Sequence, residues 1–224
     1  MKSILIGIPS IRNYQPFWES MSKLLPEMNS KYRIEVLEVK GKAIADARTK
    51  IADFFLERDY DYLLFLDDDH SGHTIEMVEA LLLPDEYVCA IKCYSRFFPF
   101  LPNLMDYSGI DDPRMKYQRK NVEKGYAFCN IVGFGMTLIK KEAFSKITPP
   151  YFVAQDNAKE DNYFCDALQK VGIKPMGCFD YVLAHQGIDD SNMQEYLDNG
   201  VNSLIEDLKV KMPGYKLEDI VVVA

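Results

Sequence analysis

No run of eighteen apolar residues, no Cys-x-x-Cys pair and no block of five basic residues occurs in these 224 residues. The first absence leaves nothing that reads as a membrane-spanning helix. The second, with five cysteines spread over Cys89, Cys93, Cys129, Cys165 and Cys178, argues against a zinc ribbon or a disulfide framework. Reduced thiols packed as small apolar groups, in a cytoplasmic setting, are expected instead. The third absence, with a formal net charge of -8, argues against a nucleic-acid backbone or an anionic membrane as the main partner. There are only three histidines, so a histidine at a strand end is a reasonable candidate ligand.

What is present reads as one globular α/β domain over 1–224. Strand and helix patterns alternate through the first half. Ile4 to Ile8 forms a buried strand closed by Pro9, and Phe17 to Met28 looks helical. Arg33 to Val39 alternate as a second strand, and Ile44 to Arg58 carry apolar residues at helical spacing. Tyr62 to Leu66 forms a third strand, Thr74 to Leu83 a helix, and Tyr87 to Cys93 a fourth strand. Such an order predicts a mostly parallel central sheet with helices on both faces. From Tyr94 to about Gly125 the chain turns irregular and aromatic, with Arg96, Phe97, Phe98 and Phe100, as binding loops often are. Ile131 to Ile139 resumes strand character and Lys141 to Lys146 looks like a short helix. A helix then starts near Asp161, Tyr181 to Ala184 gives a last strand, and Gln194 to Lys211 reads as an amphipathic helix. This divides the domain into 1–93, 94–187 and 188–224.

The stretch Leu63-Leu64-Phe65-Leu66-Asp67-Asp68-Asp69-His70 carries the most chemistry. A buried strand delivers three carboxylates to its carboxyl edge, where open α/β sheets bind ligands. Three such charges repel one another unless a cation sits among them. In extended chain alternate residues point the same way, so Asp67 and Asp69 can share a ligand while Asp68 turns aside. Carboxylate oxygens suit Mg²⁺ or Mn²⁺. The plain alternative is that Asp68, Asp69 and Ser71 cap the helix that follows. Glu160-Asp161 opens a later helix, either as a favourable dipole partner or as a base for a hydroxyl. His185 ends an apolar strand, where it could bind metal or bond backbone. His70 and His73 fall where a helix is expected to start, and a zinc set of Asp67, Asp69, His70 and His73 is a remoter possibility. Gly133-Phe134-Gly135 within a strand permits close approach of a ligand or marks a bulge.

Taken in order, these pieces resemble a GT-A glycosyltransferase, closest to the family 2 group. Arg48 in Ala45-Asp46-Ala47-Arg48, followed by Asp61 to Asp69, resembles that family's Arg-Asn and DXD block. Asn130 to Phe144 resembles its acceptor-side strand and helix, and Lys159 to Cys165 its Glu-Asp segment. His185 matches its later metal-binding histidine. Thr49 stands where the family often has Asn, and the second strand ends Glu38-Val39-Lys40 rather than in an Asp. Nucleobase identity is therefore left open.

The resemblance implies a GT-A (Rossmann-like) fold with a smaller acceptor-side antiparallel element. It also implies transfer from a nucleotide-diphosphate sugar, UDP- or GDP-linked, to a carbohydrate or other hydroxyl acceptor, with inversion. Pro9, Ser10, Arg12, Arg48, Asp67 and Asp68 would line the donor. Asp67, Asp69 and His185 would hold Mn²⁺ or Mg²⁺. Asp161 would be the base with Glu160 beside it, and Arg96, Gly133, Phe134 and Gly135 would face the acceptor. A nucleotidyltransferase is the rival enzyme, although Pro9-Ser10-Ile11-Arg12-Asn13 holds no glycine for a phosphate loop. A non-catalytic nucleotide-sugar or carbohydrate binder is the rival of another kind.

Overall fold

The computed structural model describes residues 1–11, 14–95, 102–107, 117–120, 122–154 and 159–186, with backbone only at 117–119. Arg12, Arg96, the phenylalanines at 97, 98 and 100, and the expected helix over 194–211 lie outside the described residues. In chain order the elements are β1 (Ser3–Ser10), α1 (Gln15–Lys31), β2 (Arg33–Lys40), α2 (Ile44–Leu56), β3 (Tyr62–Leu66), β4 (His70–Ser71), α3 (Ile75–Leu82) and β5 (Val88–Cys93). There follow β6 (Leu104–Tyr107), β7 (Tyr117–Arg119), β8 (Tyr126–Phe128), β9 (Ile131–Val132), β10 (Met136–Lys140), α4 (Lys141–Lys146), α5 (Glu160–Lys170) and β11 (Met176–His185).

The main sheet runs β2-β1-β3-β10-β5-β11-β4, with β8 beside β11. Its central strands are buried on both faces, which is why they read as continuous apolar runs. Alternation sends Ile4, Ile6 and Ile8 of β1, with Leu64 and Leu66 of β3, toward α1 and α3. Leu5, Leu63 and Phe65 point the other way, to a core shared with α2, α4 and α5. That second core is aromatic. Phe134, Phe144, Phe152 and Phe164 pack with ring centroids between 5.2 and 6.5 Å apart. No helix among the described residues is long and apolar enough to cross a membrane.

The sheet is mixed rather than simply parallel. Strand β10 enters between β3 and β5 antiparallel to both, whereas β1–β2, β1–β3 and β5–β11 are parallel. The expected strand over 131–139 is two strands, because Gly133, Phe134 and Gly135 leave the β6–β9 pairing before β10 begins. The stretch after Tyr94 is less irregular than expected: β7-β6-β9 forms the small antiparallel sheet. The last strand starts at Met176 rather than Tyr181, and its partner β5 is the buried element that decides this.

This topology gathers the singled-out segments. β1, β3, β5 and β11 share one direction, so Ser10, Asp67, Cys93 and His185 end on the same edge. Because β10 runs the other way, its start, with Gly133 to Gly135, meets that edge too; Met136 pairs with Leu66. Phe164 is fully buried where α5 meets the aromatic core. Phe164→Ala should therefore lower unfolding free energy by about 3–5 kcal/mol, measured by urea denaturation.

Candidate active site

The three carboxylates after β3 go three separate ways. The chain turns at once, closed by the His70 amide donating to the Asp67 carbonyl at 3.3 Å. The alternation of extended chain, which would pair Asp67 with Asp69, therefore does not apply. Asp68 turns back to β1, where its Oδ2 accepts from Ser10 Oγ at 3.1 Å and from the Ile11 amide at 2.9 Å. This pins the loop after the first strand. Pro9 and Ser10 are buried there, and the Ser10 carbonyl accepts from Gly41 at 3.1 Å. None of these carboxylates caps α3: Thr74 does, with its Oγ1 accepting from the Met77 amide.

Asp67 meets Arg48, whose Nη2 donates to its two oxygens at 2.8 and 3.1 Å. Arg48 was expected near a nucleotide, but its contacts are internal. The side chain is 2% exposed, and its Nε donates to Glu160 Oε1 at 3.0 Å. The rings of Phe65 and Phe134 cover it at 5.0 and 5.1 Å. Phe134 is itself buried, so its ring supports Arg48 rather than facing an acceptor. Glu160 is buried at the start of α5. Asp161 beside it is part-exposed, with Oδ1 accepting from the Asn162 amide at 2.8 Å. Burial, then the neighbouring Glu160 charge, raises the Asp161 carboxyl to about 6, against the opposing pull of Arg48. Burial, outweighing Arg48, raises Asp67 likewise to about 6. The Cys93 thiol ends β5 in the field of Asp67, Asp69 and Asp161, and burial pushes it far above its ordinary value. It is not a nucleophile.

Asp69 faces two imidazoles. His70 is not at a helix start: β4 pairs antiparallel with β11, setting His70 opposite His185. Their rings stack at 4.2 Å, inclined by 12°. His70 Nδ1 lies 2.9 Å from Asp69 Oδ1, and His185 Nε2 lies 3.3 Å from Asp69 Oδ2. Among the described residues these three are the group whose ligand atoms converge, all within 4.8 Å. His73 does not join them. Its Nδ1 meets Ser20 Oγ at 2.9 Å and its ring packs on Phe17, which breaks up the zinc set of Asp67, Asp69, His70 and His73.

The donor atoms fit a divalent cation. His185 Nδ1 lies 2.6 Å from the Tyr94 carbonyl, so it carries the proton and leaves Nε2 as a lone pair toward Asp69. Two lone-pair atoms so close repel unless a positive charge lies between them. His70 adds to this set: its Nδ1 lies 2.9 Å from Asp69 Oδ1, and both of its ring nitrogens are buried. Burial holds the His70 imidazole neutral, below its ordinary value. One carboxylate and two imidazoles, one of them oriented by a backbone carbonyl, make a metal-ligand set. Sequence reasoning grouped Asp69 and His185 with Asp67, and placed His70 only in the zinc set with His73. Only the β4–β11 register brings it in.

Sequence reasoning missed Asn103. Its Oδ1 accepts from the Cys93 amide at 2.8 Å, and its Nδ2 donates to the Ile91 and Gly133 carbonyls at 3.0 and 3.2 Å. It therefore ties the end of β5 to Gly133. A Cβ added at Gly133 would stand 2.9 Å from Asn103 Cβ and 3.5 Å from Asp161 Oδ2.

Solved structures share this fold. A197 from STIV superposes with a TM-score of 0.51 at 23% identity, covering 84% of this chain and 83% of its own. GalNAc-T7, crystallised with UDP, GalNAc and Mn²⁺, superposes with a TM-score of 0.56 at 12% identity, covering 82% of this chain and 43% of its own. The fold is GT-A-like. No protein-family model and no curated protein matches the sequence.

Two measurements check the carboxylate cluster. Arg48→Met should cost about 3–5 kcal/mol in denaturation experiments, because it leaves Asp67 and Glu160 buried without their cation. For Asp161, the folded-state carboxyl lies above its unfolded value, so its protonated form favours folding. That contribution is complete below about pH 4 and lost as pH rises through about 6. Asp161→Asn should therefore stabilise the protein at pH 7.5 relative to pH 4.5, by about 1–2 kcal/mol once solvent access is allowed for.

Proposed function

We propose that the protein is a metal-dependent glycosyltransferase, which moves a sugar from a nucleotide-diphosphate sugar to an acceptor hydroxyl with inversion. The observation that carries this is the convergence of Asp69, His70 and His185 at the sheet edge where Asp161 also lies. The likeness in fold to a protein crystallised with UDP, GalNAc and Mn²⁺ supports the class of donor. The motif order from Arg48 to His185 supports placement near the family 2 group.

In this reading Asp69, His70 and His185 would hold the cation, which would supply positive charge against the diphosphate leaving group. Pro9 and Ser10, fixed by Asp68, form the floor under the nucleotide. Asp161 takes the proton of the acceptor hydroxyl. A carboxyl raised to about 6 is a stronger base than an ordinary one and is still ionised at neutral pH. Glu160 does not touch the reacting atoms. Gripped by Arg48, it fixes the first turn of α5 and so the position of Asp161. Gly133, beside Asp161, leaves room for the acceptor. Two imidazoles among three protein ligands favour Mn²⁺ over the harder Mg²⁺.

The test is thermal stability against UDP- and GDP-sugars, with and without Mn²⁺. A donor that binds only the metal-loaded folded state, at a hundredfold excess over its dissociation constant, adds about 2.7 kcal/mol. Asp69→Asn and His185→Ala should abolish that gain. Asp67→Asn should leave Mn²⁺ affinity within about threefold, because Asp67 answers to Arg48 rather than to the imidazoles. The anomeric configuration of the product, read by NMR, should be inverted; retention would remove Asp161 from the role of base. Binding without transfer or hydrolysis of any nucleotide sugar would instead identify a binding protein.

A further inference from the structure

We propose that Gly135 is a positioning residue for the imidazole of His70, and that the metal site depends on the absence of a side chain at this position. The proposal rests on the metal reading above. A Cβ built on Gly135 would stand 2.6 Å from His70 Nε2, 2.9 Å from Cε1 and 3.1 Å from Cδ2. One whole edge of the ring thus lies against the bare backbone of residue 135, which leaves Nδ1 on the side of Asp69.

Neither side of this contact can yield. The His70 ring is stacked on His185 at 4.2 Å, and His70 is tied to β11 through the pairing of β4. The Gly135 carbonyl accepts from the Asp67 amide at 3.1 Å, and the next residue, Met136, pairs with Leu66. A methyl group at 135 would have to displace the ring, and any displacement moves Nδ1 away from Asp69 or drives the ring into His185. The backbone at Gly135 is not in the left-handed region, so alanine would meet no torsional penalty there. The glycine is required by the imidazole and not by the turn.

A double-mutant cycle on Mn²⁺ binding separates this from ordinary packing. Mn²⁺ affinity is measured by calorimetry, and free Mn²⁺ by its EPR signal, for the unaltered chain, Gly135→Ala, His70→Ala and the double variant. Circular dichroism and melting temperature are recorded for each. Gly135→Ala should weaken Mn²⁺ binding about tenfold or more, as loss of a group that orients a ligand does. In the His70→Ala background the same substitution should change affinity by less than about twofold, because the ring it collides with is gone. Unchanged affinity in Gly135→Ala, or an equal loss in both backgrounds, overturns the proposal while leaving the metal site standing. If the unaltered chain binds no Mn²⁺, or His185→Ala binds it equally well, the metal reading falls and this proposal with it. Should Gly135→Ala fail to fold, the double variant decides: recovered folding supports the collision with His70, and continued failure overturns it.

Discussion

The buried guanidinium of Arg48 is the interaction around which the site is organised. It joins residues 19 and 112 positions away in the chain, Asp67 at the end of β3 and Glu160 at the start of α5. Both ring faces that cover it, Phe65 and Phe134, come from segments that also meet at the site edge. A charge so enclosed is tolerated only with its partners in place. The turn after β3 and the helix that carries Asp161 are therefore fixed against each other. This is a different use of Arg48 from a contact to nucleotide, and it explains why so large a polar side chain is fully buried.

One guanidinium does not balance its surroundings. Asp67, Glu160 and Asp161 all act on Arg48, and Asp67 and Asp161 are both raised by burial and by their acidic neighbours. The structure keeps these groups apart from the imidazole pair by dividing the acidic triplet. Asp68 fastens β1, Asp67 fastens α2 through Arg48, and Asp69 alone is left to His70 and His185. The tight turn that sends neighbouring carboxylates in different directions is what makes three roles possible in three residues.

Much of this was legible in the sequence where local physics decides. Strands buried on both faces announce themselves, so β1, β3 and β5 were readable, and α4 was placed at Lys141–Lys146 by its own pattern. Periodicity has no direction, however, so nothing in Met136 to Lys140 could say that β10 runs antiparallel. Asp69 and His185 were singled out as strand-end candidates, whereas His70 was offered only beside His73. Its role comes from a two-residue strand whose partner lies 115 positions on. The pairing of Asp67 with Asp69 failed for a definite reason: it assumed extended chain where the backbone turns. The glycines at 133 and 135 were read as room for a ligand or as a bulge. What approaches them is Asn103 and His70, which only the assembled sheet edge could supply.

The charge arrangement also orders events at the edge. An anion arriving alone would meet Asp67, Asp69, Glu160 and Asp161, against a guanidinium whose charge is already engaged by two of them. In a poorly solvated site like-charge repulsion of this kind is not screened as it is at an open surface. The His70 imidazole does not supply the missing charge, since burial keeps it neutral. On the proposed reading, a diphosphate would need a cation beside Asp69 to offset this repulsion. The same imbalance that would reject a bare anion would favour a cation, so the buried carboxylates point the same way as the ligand geometry.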